Sequence, residues 1–334
     1  IEAGEIAMDG NSLAGTPAHR RGIAVVQGEA DLLPDISVAE NLGFVASLRG
    51  ADRTASRGRV ERALAAVGRP ELGERPAHLL EPAERLPVAL ARAFVSEPKL
   101  LLLDEPFASL DTAERRQLAQ DVRALLGGLA LTTILATRHP GDAFALAGRI
   151  AVLRGGLVIQ LGTPQALYET PVSAYVARST GEANCLPGLV ESIDDELASV
   201  RLECGPMVLA APAEGCVEGG HCRVVIRPER IAVAAVAAEE MGNGALPVLI
   251  HETAYRGDHV RIGARIGGAA ITIIRPAAAG LLGLAPGEPA AIAWQPAHAH
   301  VFPPDPLDEM NRPKPREPPI FAPPRALRKP NSRG

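Results

Sequence analysis

Residues 99–111 read KLLLLDEPFASLD. Four consecutive leucines, at 100–103, run into the adjacent acids Asp104 and Glu105 and then Pro106. A continuous aliphatic run of this kind is the pattern of a parallel strand buried on both faces. In open α/β sheets the ligand lies outside the carboxyl ends of the strands, so both acids emerge at the ligand edge. Adjacent carboxylates repel and lose hydration unless a positive charge joins them. Mg²⁺ carried by the phosphates of a nucleotide supplies such a charge and takes oxygen ligands. The competing reading, a strand that simply ends in polar residues, is decided by the flanks.

Around this stretch, helical periodicity is clearest in RVERALAAVG (59–68), RLPVALARAFV (85–95) and TAERRQLAQDVRALLGGL (112–129). Apolar runs lie between and after them: GIAVVQ (22–27), TTILAT (132–137) and RIAVLRGGLVIQLG (149–162). Strands alternating with helices predict an α/β fold, a parallel sheet with helices on both faces. Beyond residue 185 the texture changes. ASVRLE (198–203), CRVVIRP (222–228), HVRIGARI (259–266) and AAITIIRP (269–276) are short β-branched runs separated by Gly and Pro turns. They predict a small antiparallel β domain or barrel. From 303 the chain is Pro-rich with scattered basic residues and little to bury, the composition of a disordered tail. The expected division is 1–180, 181–302 and 303–334.

Composition bounds the function. The 334 residues are 47% hydrophobic, 22% charged and 3% aromatic, with a formal net charge of −5. This suggests a soluble protein with an aliphatic core and argues against binding to nucleic acid or anionic membranes through overall charge. No window approaches the roughly 18 apolar residues of a membrane span. The opening IEAGEIAMDG has no signal-peptide pattern and reads as the interior of a domain, so an N-terminal truncation is expected. The four cysteines (Cys185, Cys204, Cys216 and Cys222) match no standard zinc spacing. Reduced thiols are expected, with a metal held by Cys216, His221 and Cys222 as the alternative.

The motifs together resemble the ATPases of ABC transporters over about 160 residues. LLLLDEP resembles the Walker B strand and ASLD, ending at Asp111, the D-loop that crosses a dimer interface. VALARAF (88–94) resembles the helix before Walker B. RRGIAVVQGEADLLPDISVAENLGF (20–44) resembles the Q-loop segment, with Gln27 as its glutamine. The resemblance implies a P-loop NTPase-like domain with a helical subdomain and two subunits sandwiching ATP head to tail. It implies ATP and Mg²⁺ as cofactors, Asp104 and Gln27 as metal-site residues, and Glu105 as the general base.

Three elements depart from the family pattern. A GxxxxGK[ST] phosphate loop would precede the Q-loop by roughly forty residues, and the 26 residues before Gln27 carry no such pattern. At the LSGGQ signature stand Leu80, Glu81, Pro82, Ala83 and Glu84. Glu81 and Ala83 thus occupy positions that would meet the γ-phosphate of the opposite subunit, where an added anion repels. ILATRHPGDAFALAGRI (134–150) resembles the switch segment with Arg138 at the histidine and His139 at the following acid. Arg138 can meet a phosphate as a cation but cannot relay protons as imidazole does. His139 is either a shifted substitute or a solvated loop residue.

The second half resembles the TOBE domain of import-type ATPases, an OB-like β domain. The carrying segments are IRPE (226–229), LIHETAYRGDHVRIGARIGG (249–268) and PGEPAAIAWQPAHAHVF (286–302). The pattern is commonest in polyamine-type importers and occurs in ferric-iron and phosphonate-type relatives. The function implied is that of an importer's ATP-binding subunit, peripheral on the cytoplasmic face of the inner membrane. Its partners would be permease subunits, a second ABC subunit in a homo- or heterodimer, and indirectly a substrate-binding protein. A nucleic-acid partner is not expected, since few aromatics are available for stacking. The helical part at 36–90 would face the permease, with Leu32, Leu33 and Pro34 either touching it or packing inward. The alternative function is a degenerate, non-hydrolysing structural or regulatory subunit.

Overall fold

The computed structural model describes residues 4–305 apart from 28–31, 49, 51, 195, 237–239, 241, 243 and 278–283. The chain divides into two compact units, one of Ile1–Pro171 with Ser179–Gly181, the other of Val172–Arg178 with Glu182–Gly334. Of the tail expected at 303–334, residues 306–334 lie outside the described residues.

In the first unit a two-strand ribbon, β1 (Ala7–Met8) and β2 (Asn11–Ser12), precedes β3 (Ile23–Gln27). Helices α1 (Val38–Leu48), α2 (Arg53–Ala66) and α3 (Pro82–Val95) follow, then β4 (Leu100–Asp104), α4 (Thr112–Leu129), β5 (Thr132–Ala136) and α5 (Pro140–Leu146). The strands β3, β4 and β5 form a parallel sheet in that order. The segment 149–162 is not a further parallel strand. It is an antiparallel hairpin, β6 (Ile150–Arg154) and β7 (Leu157–Gly162), followed by α6 (Pro164–Glu169). Gly155 and Gly156 turn it with φ of +57° and +81°, the left-handed pair that a tight hairpin turn requires.

Helix α3 is apolar on two faces, which explains its role. Leu86, Ala89, Leu90 and Ala93 recur at helical spacing and pack with Ala24, Val26, Leu101 and Leu103 of the sheet and Leu118, Ala119 and Val122 of α4. Val88, Ala91 and Val95 face the other way, joining Val38 and Leu42 of α1 and Val60 and Leu64 of α2 in a helical subdomain. The expectation of helices on both faces of the sheet is corrected. Among the described residues they cover one face, and on the opposite register face Val25 and Ile134 remain 51% and 55% exposed. Leu100 to Leu103 therefore alternate between half-buried and buried, so the leucine run marks a strand but only one side of it is packed.

Among the described residues the second unit contains α7 (Ala174–Thr180) in part, one helical residue at Glu240, and otherwise strands with short 3₁₀ turns. β8 (Asn184–Asp194), β9 (Leu197–Leu202), β10 (Met207–Pro212), β11 (His221–Ile226) and β17 (Ala299–Phe302) close a five-stranded barrel. β12 (Ala232–Ala234), β13 (Leu246–Tyr255), β14 (His259–Ile266), β15 (Ala269–Pro276) and β16 (Pro289–Ala293) form a five-stranded sheet. Both share one core, from Leu186 and Val200 to Ile262 and Ile273. The predicted antiparallel pattern holds except where β10 runs parallel to β17. The segment 286–302 is two strands, one in each sheet, rather than one closing strand.

Candidate functional site

The parallel ladder places Gln27 opposite Asp104, and Asp104 opposite Ala136, at the carboxyl ends of the three strands. This is where open α/β sheets put their ligands. Gln27 and Asp104 are exposed, and neither side chain has a hydrogen-bond or ion-pair partner among the described residues. A carboxylate beside a carboxamide oxygen, both free of protein partners, is a set of hard oxygen donors that fits Mg²⁺.

Glu105 is placed by an unusual backbone. Its φ is +46°, a left-handed conformation that costs a non-glycine residue about 1 kcal/mol, and its N–H donates to the Ala136 carbonyl at 2.9 Å. The turn points its carboxylate at the segment after β5. The Arg138 main-chain N–H donates to Glu105 Oε1 at 2.8 Å, and the Arg138 Nε–H donates to the same oxygen at 3.0 Å. Thr137 Oγ1 lies 3.3 Å from Glu105 Oε2 and 3.2 Å from Oδ2 of the buried Asp142. With a single proton, that hydroxyl donates to one carboxylate at a time. Partial burial pushes the Glu105 carboxyl up, but the Arg138 amide and guanidinium and the Thr137 hydroxyl outweigh it and hold the group below the ordinary carboxylate range.

Sequence reading missed Thr137 and Asp142. Asp142 sits in the first turn of α5, two residues after the Pro that opens it, a position where an acid complements the helix N-terminus. His139 is the residue before that helix, and its N–H donates to Thr137 Oγ1 at 3.1 Å. Its exposed imidazole has no partner among the described residues, whereas Arg138 is the residue that meets Glu105.

The remaining candidates are not joined to this group by any described hydrogen bond or ion pair. Asp111 caps α4, accepting from the Ala113 and Glu114 N–H groups at 2.8 and 2.9 Å. Glu81 precedes α3. Its N–H donates to the Glu84 carboxylate at 3.0 Å, and Arg75 Nη1 grips both oxygens of that carboxylate at 2.9 Å. The helix end expected to meet a phosphate is thus filled by the chain's own anion. Ala83 is half-buried in the first turn, and Pro87, four residues on, has no N–H to offer its carbonyl.

In the second unit the IRPE element is structural. Arg227, 7% exposed, donates through Nη1 to the carbonyls of Ala177 at 2.7 Å and Glu182 at 3.3 Å. No group of three or more His, Cys, Asp or Glu suited to a metal occurs among the described residues, which removes the Cys216, His221 and Cys222 alternative. Burial pushes the Cys222 thiol up to about 11, so it behaves as an inert thiol.

Comparison with known proteins places both halves of the chain in known families. The ABC transporter family model matches residues 1–108, and the TOBE domain model matches 224–302. The Fe(3+) ions import ATP-binding protein FbpC 1 of Rhizobium meliloti is 33% identical over 293 residues, covering 88% of this chain and 80% of that protein. The Streptomyces coelicolor FbpC is 34% identical, covering 78% of this chain and 71% of its own length. The spermidine/putrescine import ATP-binding protein PotA of Pseudomonas aeruginosa is also 34% identical, covering 77% and 71%. The chain belongs to the ABC transporter family. It is an importer-type ATP-binding subunit with an α/β nucleotide-binding fold and a C-terminal TOBE domain.

Proposed function

We propose that this chain couples ATP binding and hydrolysis to solute uptake, with nucleotide-binding residues in 1–180 and a TOBE-type regulatory domain at 181–302. The observation that carries this is the ladder ending with Gln27 beside Asp104, followed at once by Glu105. Asp104 and Gln27 would hold Mg²⁺, which supplies positive charge to the nucleotide phosphates when bound. Glu105 would orient the attacking water and take its proton. Arg138 is a permanent cation next to that base and would meet phosphate charge.

Permease subunits are the expected partners, and the helical subdomain the expected contact. Leu33, Phe44 and Leu48 are 49%, 54% and 71% exposed there, whereas Leu32 packs against the helical cluster. No described helix is long and apolar enough to cross a membrane, so a peripheral position on the cytoplasmic face through such partners fits. Polyamine-class cargo is favoured on the resemblance of the TOBE segments, and the ferric-iron relatives mark the nearest competing class.

A second reading, a subunit that binds partners without hydrolysing, is favoured by the Glu84 carboxylate at the start of α3 and the capture of Glu105 by Arg138. Titration calorimetry of the full-length protein with ATP tests the shared premise. Mg²⁺-dependent binding weakened about tenfold or more in Asp104→Asn supports the site. Equal affinity in both proteins, or none in either, contradicts it.

A further inference from the structure

We infer that Thr137 is a positioning residue for Glu105, setting the turn of its carboxylate so that Oε2 is the oxygen presented to the attacking water; the inference rests on the assignment of Glu105 as base. The left-handed turn at Glu105 fixes its main chain, and its N–H donates to the Ala136 carbonyl at 2.9 Å. The carboxylate is then met by two consecutive residues, one on each oxygen. Oε1 accepts from the Arg138 main-chain N–H at 2.8 Å and from Nε at 3.0 Å, and Oε2 lies 3.3 Å from the Thr137 hydroxyl. The Arg138 side chain is 88% exposed, so its share of this grip is weak. With the Arg138 amide as pivot, the half-buried Thr137 hydroxyl is the side-chain contact that sets the rotation of the carboxylate. Among the described residues it is the only hydrogen-bond partner of Oε2, which keeps a second lone pair to accept from water.

The hydroxyl is itself fixed in place. Threonine is stiff about χ1. Thr137 Oγ1 accepts from the His139 N–H at 3.1 Å and lies 3.2 Å from Oδ2 of Asp142. That carboxylate is buried and has no other side-chain partner among the described residues. A buried carboxylate holds its donor, because losing it leaves an unpaired polar group. The near-equal distances of 3.2 and 3.3 Å fit one proton shared between two acceptors, where a single hydroxyl bond is closer to about 2.8 Å. Glu105 thus rests against a hydroxyl pinned from two other sides, a rigid stop more than a strong bond.

The test uses full-length protein: wild type, Thr137→Val, Thr137→Ser, and Thr137→Val combined with Asp142→Asn. Valine keeps the shape of threonine without the hydroxyl. The combined variant also removes the buried carboxylate that would lose its donor, and it carries both readouts if Thr137→Val alone does not fold. In steady state, kcat of Thr137→Val is expected to fall about tenfold with KM for MgATP within about twofold of wild type, because a turned carboxylate costs the chemical step and not binding. The combined variant is expected to match it, and Thr137→Ser to stay within about threefold of wild type. A wild-type kcat without the hydroxyl, an equal loss in Thr137→Ser, or a loss confined to KM overturns the assignment. Hydrogen exchange of the Arg138 amide is expected to quicken several-fold in Thr137→Val, and that difference to vanish in a Glu105→Ala background. Unchanged exchange, or a difference that survives Glu105→Ala, also overturns it. If wild type hydrolyses no ATP, the assignment of Glu105 as base fails by itself, and the exchange result still decides whether Thr137 positions the carboxylate.

Discussion

Glu105 and Arg138 stand 33 positions apart in sequence and share hydrogen bonds at 2.8 and 3.0 Å. That contact depends on the left-handed turn at Glu105 and on the parallel register that carries the end of β5 beside it, so no local pattern announces it. Asp104 needed only the local pattern, an acid at the end of an aliphatic strand. A second charged pair gives a measurable pH effect. Arg261 Nη1 and Nη2 each donate to a Glu182 oxygen at 2.6 Å. Those bonds lower the Glu182 carboxyl, with partial burial opposing and the charge of Arg261 assisting. A depressed carboxyl contributes stability that is present above its unfolded value and lost as pH falls through the folded one. The stability deficit of Arg261→Ala, followed by urea unfolding, is therefore expected near neutrality and to shrink below about pH 4.3. A deficit independent of pH would assign Arg261 a packing role.

At the scale of elements, the helix termini separate structural roles from functional ones. The resemblance implies that Asp111 belongs to a dimer interface, and within the chain it satisfies two N–H groups of α4. Asp111→Ala is expected to cost about 1 kcal/mol in the isolated subunit, with thermal denaturation as the readout. An unchanged melting temperature would leave the interface as its only task. Helices 59–68, 85–95 and 112–129 were legible because their apolar periodicity matches the faces α2, α3 and α4 bury. The hairpin at 149–162 was not, because a run apolar throughout does not distinguish one strand from two. The Gly-Gly at 155–156 was the local signal that did. Likewise, the leucines of β4 predicted burial on both faces, yet composition cannot say which neighbours are present to cover each face.

Across the whole molecule, two units carry different kinds of information. The β unit was legible as a class from its short β-branched runs, while its split into a closed barrel and a sheet depends on pairings between distant strands. The α/β unit brings Gln27, Asp104, Glu105 and Arg138 to the carboxyl end of one sheet. It leaves Glu81, Ala83 and Asp111 at the starts of two helices, without a described contact to that group. On the proposed reading, activity hinges on Glu105. The decisive measurement is steady-state ATP hydrolysis by the full-length protein beside its Glu105→Gln variant. Hydrolysis by the wild type that falls at least about a hundredfold in the variant is the expected result, since the amide cannot take a proton from water. Equal rates in the two proteins, or ATP bound without hydrolysis by the wild type, would contradict the role of Glu105 as base.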